Sequence, residues 1–194
     1  MKKNDNIKII GRTVILVPYK RIHVDKYHEW MKSKELQELT ASEELSLEEE
    51  YKMQETWHID DDKCTFIVLD KQIWEETENE IHAMIGDTNL FLLGNDVAEA
   101  EIMIAEAFAR GKGRGKEAML LMLKYGCDKL CIKKYIAKIG TNNSRSITMF
   151  QNMGFIQVSE SNVFKEVTLE KHVTDEWHTW LNDKTNLSLI APYT

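Results

Sequence analysis

The chain has 194 residues, a formal net charge of −7 and 43% hydrophobic residues, which suits one domain with a sizeable core. The acidic balance argues against general binding to nucleic acid or to an anionic membrane surface. The longest uninterrupted apolar run, residues 118–123, is far too short to span a bilayer, and the polar residues 1–6 lack the apolar core of a secretory signal.

Residues 7–10 and 14–17 read as two short strands around a turn at Gly11-Arg12, the second ended by Pro18. A helix is expected over 24–31, with Tyr27, Trp30 and Met31 turned to a core. Another is expected over 46–57, where Ser46 and Glu49 fit a capping box and Leu47, Tyr51, Gln54 and Trp57 recur at helical spacing. Strand formers fill 64–69, the charged stretch 70–80 reads as a hairpin loop, and a strand region at 83–93 ends in the turn signal Gly94-Asn95-Asp96. A strand at 100–104 leads into a glycine-rich run, and the nearly apolar segment 116–130 predicts a helix buried on several sides. A strand at 135–139 follows, then Asn142-Asn143-Ser144 and a short helix to Met153 with Gly154 as its C-terminal cap. Residues 155–158 and 163–169 read as a final hairpin and 174–181 as a terminal helix, while the tail carries little pattern. There is no repeat and no linker rich in Pro, Gly or Ser. The order of elements predicts a single mixed α/β or α+β domain with helices on both faces of its sheet.

The three cysteines, Cys64, Cys127 and Cys131, are odd in number. Cys127 and Cys131 are spaced to share a helix face, but no second ligand pair of the zinc type follows. Free buried thiols in a reducing compartment, the cytoplasm, and no bound metal are expected.

Chemistry concentrates in Arg110-Gly111-Lys112-Gly113-Arg114-Gly115, set between the 100–104 strand and the 116–130 helix. A strand, a glycine-rich turn and a helix in that order form an anion site. The glycines let backbone approach a ligand, and the first helical N–H groups have no internal partners. The helix dipole and the cations Arg110, Lys112, Arg114 and Lys116 add positive potential. A nucleotide P-loop is excluded, because Glu117 follows Gly115-Lys116 where a hydroxyl is needed and Arg110 replaces the first glycine. Gly113, Gly115 and Ala118 match a dinucleotide fingerprint, but half the chain precedes them and the next strand ends in Lys138-Ile139-Gly140 without a ribose-binding carboxylate.

A second constellation, Asn143, Ser146, Phe150, Gly154 and Phe155, begins where the next strand ends. With Arg110, Gly113 and Gly115 it resembles the two ordered motifs of the GNAT superfamily of acyl-CoA N-acyltransferases. The resemblance covers most of the chain. Residues 13–19 and 27–33 look like the branch that acetylates protein N-termini and ribosomal proteins. Residues 35–37, 39–43, 62–70 and 163–169 are similar to the eukaryotic N-acetyltransferase 9 family, described as acetylating α- and β-tubulin at the N-terminus.

The resemblance implies a mostly antiparallel central sheet with splayed central strands. It divides the chain into an acceptor-side segment at about 18–60, an acetyl-CoA motif at about 100–155 and a C-terminal hairpin and helix at 155–182. It further implies acetyl-CoA as donor and a protein amino group as acceptor, with tubulin as the family-implied partner. The amides from Gly111 to Lys116 would cradle the CoA pyrophosphate, with Asn143 and Ser146 nearby. The pantetheine arm would lie along Met103, Ile104 and Ala105, an amide near Met103 or Ile104 would polarise the acetyl carbonyl, and Phe150 would pack on the arm. Amine attack needs a base. Glu101, on the same strand face as Met103 by alternation, is the first choice, ahead of Glu99 and His82. Many family members carry Tyr where Phe150 stands, and Phe has no proton to give a departing thiolate. Three functions stay open: a protein N-terminal acetyltransferase, a small-molecule amine acetyltransferase, and a non-catalytic module that binds acetyl-CoA or the cytoskeleton.

Overall fold

The computed structural model describes residues 2–94 and 96–193; Asn95 of the expected turn and Met1 of the polar start lie outside them. Among the described residues nine strands form one sheet. They are β1 (Ile7–Ile10), β2 (Val14–Pro18), β3 (Lys63–Asp70), β4 (Met84–Leu92), β5 (Val97–Ile104), β6 (Lys134–Gly140), β7 (Ile156–Ser161), β8 (Glu166–His172) and β9 (Leu189–Pro192), in the order β7-β8-β6-β5-β4-β3-β2-β1-β9. Every neighbouring pair is antiparallel except β5 and β6. The helices are α1 (Val24–Met31), α2 (Lys34–Thr40), α3 (Leu47–Ile59), α4 (Lys71–Thr77), α5 (Glu80–Ala83), α6 (Arg114–Leu130), α7 (Ser144–Gln151) and α8 (Asp175–Lys184). None is long and apolar enough to cross a membrane.

Alternation along β2 and β3 sorts the core into two layers. Val14, Leu16, Phe66 and Val68 pack with Met119, Met122 and Leu123 of α6. Ile15, Val17, Ile67 and Leu69 pack with Tyr27, Trp30 and Met31 of α1. Both strands are therefore buried on both faces, which is why they read as continuous apolar runs. Glu117 accepts hydrogen bonds from the Arg12 and Thr13 amides and the Thr13 hydroxyl, fastening the β1–β2 turn to the first turn of α6. Lys26 of α1 donates to the carbonyls of Ile81 and Met84 at 2.9 Å, and the Trp30 indole donates to Glu106 at 3.0 Å, which pins α1 across the start of β4 and the end of β5.

Several expectations need correction. The charged stretch after β3 is not a hairpin loop but two helices. Asp70 caps α4 by accepting from the Gln72 and Ile73 amides, and Asn79 caps α5 by accepting from His82. Polar composition hid them, because the Asp and Asn caps act there as helix starts rather than turns. The unexpected α2 starts at Ser33, whose hydroxyl accepts from the Leu36 amide. The tail forms β9, whose partner β1 lies at the other end of the chain. Val163 and Phe164 sit in the β7–β8 turn rather than in a strand, at 85% and 81% exposure. Of the three thiols only Cys64 is buried; Cys127 is half-buried, and exposed Cys131 caps α6 in a left-handed conformation rather than sharing its face.

Gly86 leaves no room for a side chain: a Cβ there would stand 1.9 Å from the Met103 carbonyl oxygen. Gly86→Ala is expected to force β4 from β5 and lower stability by about 3 kcal/mol, read as a shift in the urea unfolding midpoint with an unchanged slope.

Candidate active site

The site begins where a ladder stops. β5 and β6 pair in parallel at Val97/Lys134, Ala98/Tyr135 and Glu99/Ile136 and then diverge, while β5 stays paired to β4 through Ile104 and β6 to β8 through Gly140. Lys138 and Glu99 close the crotch of the fork with a 2.8 Å ion pair. The Ala105 amide donates to the Ile85 carbonyl at 2.8 Å. Two-residue alternation therefore aims the Met103 amide at β4 and the Ile102 and Ile104 amides into the fork. Of the two amides expected to serve the acetyl carbonyl, only that of Ile104 faces the fork.

A cleft of about 790 Å³ runs from the fork over the glycine loop to the start of α7, lined by Ile102, Met103, Ile104, Arg110, Gly111, Gly113, Gly115 and Lys116 on one side. Gly111 and Gly113 hold φ values of 73° and 82°, which side-chain-bearing residues adopt at a cost. Gly113 is the N-cap of α6 and no side chain caps that helix, so its first N–H groups are open to an anion.

The cations contribute less than their number suggests. Arg110 donates to the carbonyls of Ile104 at 2.7 Å and Ala105 at 3.1 Å and pairs with Glu35 at 2.8 Å, so it ties the loop to the end of β5. Arg114 turns away to buried Asp70 at 2.5 Å. Lys112 lines a neighbouring 340 Å³ pocket with Arg12 and Lys184, and Lys116 borders both spaces.

Asn143 caps α7 by accepting from the Ser146 amide at 3.2 Å, and both residues line the cleft. Phe150 does not. It is 2% exposed and packs edge-on against Phe155, with centroids 5.0 Å apart, because Gly154 turns the chain back onto the helix at φ 87°. Thr148 and Met149 line the cleft on this helix instead. Ala105 stands just outside the lining. Sequence reading missed the opposite wall, Leu36, Leu39 and Thr40 of α2, although Ser33 followed by apolar residues at helical spacing was a signal for it.

Register places a polar patch beside the fork. The pairs Ile67/Asp87 and Asp87/Met103 put Asp87 and Met103 in one lateral row, and Thr65/Asn89 and Asn89/Glu101 put Glu101 in the next. This is the sheet face covered by α1 and α3. Glu101 is solvent-exposed at the rim of this patch rather than in the cleft lining. Crowding by protein raises its carboxyl above the ordinary range, Lys63 and Lys138 oppose the shift and Glu99 adds to it. Glu99 is held by Lys138, and His82 is exposed on α5, outside the cleft lining. Asp87 is 2% exposed. Burial pushes its carboxyl up to about 7 against the pull of an Asn89 hydrogen bond and the Lys63 charge, with Glu101 adding to the rise. Burial also pushes Glu50 of α3 up to about 7 and Lys63 down to about 8. No group of three or more His, Cys, Asp or Glu among the described residues is arranged to hold a metal ion.

The sequence matches the acetyltransferase (GNAT) domain family over residues 13–156. It is 50% identical over 196 residues to alpha/beta-tubulin-N-acetyltransferase 9 of Drosophila melanogaster, covering 97% of this chain and 98% of that one. The chain is a GNAT acetyltransferase of the N-acetyltransferase 9 family. The human alpha/beta-tubulin-N-acetyltransferase 9 is also 50% identical, over 100% of this chain and 96% of its own. Among solved structures the fold is similar to spermidine N-acetyltransferase from Vibrio cholerae in complex with CoA and spermine, with TM-score 0.71, 17% identity and coverage of 86% and 98%. It is likewise similar to the ribosomal L7/L12 alpha-N-protein acetyltransferase, with TM-score 0.71, 15% identity and coverage of 86% and 95%.

The buried carboxyls of this acetyltransferase make its stability depend on pH. Asp87 and Glu50 have folded-state values near 7, raised above the unfolded range of about 4. Their contribution is thus fully present below about pH 4 and is lost as pH rises through about 7. The expected result is a melting temperature whose decline between pH 6 and 8 is shallower in Glu50→Gln than in the unmodified chain, checked by thermal denaturation across that range.

Proposed function

We propose that this enzyme transfers acetyl from acetyl-CoA to a protein amino group, an N-terminal α-amine, with tubulin as the acceptor that the names of its relatives suggest. The observation that carries the reading is the fork itself, with two inward amides between a helix N-terminus and an acidic sheet face. The amides at the start of α6 bind pyrophosphate, and the helix dipole adds to their potential. The Ile104 amide donates to the acetyl carbonyl as negative charge develops there. Arg110 holds the loop and the end of β5 in one geometry, which keeps those donors preorganised. Met149 and the α2 wall shield the arm from water. Glu101, exposed at the rim, attracts the acceptor ammonium. Phe150 offers no proton from its place in the core, so the sulfur takes one from the attacking nitrogen or from water.

The same acidic rim suits a polyamine, the cation named with the Vibrio cholerae neighbour. A mass-spectrometric screen with acetyl-CoA therefore includes N-terminal peptides, tubulin N-termini among them, beside spermidine and ε-amine controls. Preferential α-amine acetylation is the expected outcome, and turnover confined to polyamines would replace the protein substrate with a small one. Gly113→Val is expected to weaken acetyl-CoA binding about tenfold or more, equivalent to ~1.4 kcal/mol, by calorimetry; unchanged affinity removes the loop from the donor site. Glu101→Gln should lower kcat/KM about tenfold through weaker attraction of the cation, with the loss shrinking at high salt in steady-state assays.

A further inference from the structure

Among the described residues four buried side-chain atoms have no hydrogen-bond partner: Tyr19 Oη, His28 Nδ1, Glu50 Oε2 and Asp87 Oδ1. Folded proteins pair nearly all such atoms. These four belong to one patch. The charges of Asp87, Tyr19, Glu50 and Glu101 all act on the Tyr27 phenol, and His28 Nδ1 stands 3.9 Å from Glu50. The patch is walled by Tyr19 and Tyr27, whose rings tilt against each other 5.2 Å apart. Carboxylates and aromatic faces with unused polar atoms are the surroundings that a desolvated ammonium requires.

Within the patch Asp87 has the geometry of a working group. One of its oxygens is fixed: Oδ2 accepts from Asn89 Nδ2 at 2.7 Å, and Asn89 Oδ1 in turn accepts from the Thr65 hydroxyl at 2.6 Å. The other oxygen is free. Asp87 pairs directly with Met103, a cross-strand neighbour separated by about 5.5 Å between Cα atoms, and Met103 lines the cleft next to Ile104. Glu101, the base expected from sequence, is one row farther from Ile104 and open to water.

We propose that Asp87 is the catalytic base, taking the proton of the acceptor ammonium in the Tyr19–Tyr27–Glu50 patch. This deepens the acetyltransferase reading and rests on it. The free Asp87 oxygen forms an O–H bond with a proton of R–NH3+, which leaves a neutral amine. The nitrogen lone pair forms the N–C bond to the acetyl carbon, the C–S bond breaks, and the second nitrogen proton goes to sulfur directly or through water. Asp87 returns its proton to solvent before the next turnover. Lys63 on β3 and Glu101 on β5 act on its charge, and it acts on the phenols of Tyr19, after β2, and Tyr27 on α1; Glu50 on α3 reaches the same two phenols, and His28 on α1 stands beside Glu50. Burial raises the Asp87 carboxyl to about 7, so it is a stronger base than an ordinary carboxylate and still substantially ionised at neutral pH.

The test uses the full chain, acetyl-CoA and the best acceptor of the amine screen. Asp87→Asn should lower kcat about 100-fold or more, with acetyl-CoA affinity within about threefold. Asn89→Ala keeps the carboxylate and removes a hydrogen bond that favours its charged form, so the acidic limb of the kcat–pH profile should move to higher pH. If Asp87→Asn does not fold, this second variant decides. A structural role alone would lower melting temperatures and leave the acidic limb in place, which overturns the inference. Turnover that survives Asp87→Asn overturns it too while leaving acetyl transfer intact. A chain that binds acetyl-CoA but acetylates no amine sinks both.

Discussion

β5 and β6 share backbone hydrogen bonds over only three residue pairs, and the centre of this acetyltransferase is organised by the point where that ladder ends. Backbone donors inside a protein need partners. Once the strands part, the amides of Ile102 and Ile104 face a cleft instead of a neighbouring strand, and a ligand can take the place of the missing strand. The Ile104 carbonyl is already engaged by Arg110, so the loop and the fork are mechanically one unit. The sheet can open here because its other contacts persist: β5 stays bonded to β4, and β6 to β8.

The two faces of the sheet divide the labour. Against α6 the core is apolar, with Met119, Met122 and Leu123 at 0% exposure, and it seats that helix with its N-terminus at the cleft. Against α1 and α3 the face is mixed. Lys63, Thr65, Asp87 and Asn89 are all buried among aromatic rings. Desolvation there raises carboxylates and lowers Lys63. Such an arrangement costs stability at neutral pH, as buried charge does, and it lies beside the fork.

Legibility in the sequence followed the range of the interactions. The glycine loop, the α6 and α7 starts and the Ser46–Glu49 capping box were readable because each is built within a few residues. The helices α2, α4 and α5 were not, since their charged faces mask short capped turns. Phe150 was correctly placed in a helix, but its direction depends on Phe155 folding back beneath it. The local pattern gives four cations adding potential around the loop, yet Arg114 is spent on Asp70 and Arg110 on Ile104, Ala105 and Glu35. These partners lie on β3, β5 and α2, out of sight of a local pattern.

The sequence by itself determined one wall of the cleft: a helix N-terminus with a glycine-rich turn before it, a short helix after Asn143 one strand later, and with them the family. Local hydrogen bonding and backbone sterics suffice for that. The tertiary structure decided the polar sheet face beside the fork. Which carboxylate stands next to the fork depends on the register of β3, β4 and β5, and a slip of one residue would turn Asp87 to the opposite face. That register is set by the packing of both sheet faces at once, so no single segment of the chain contains it.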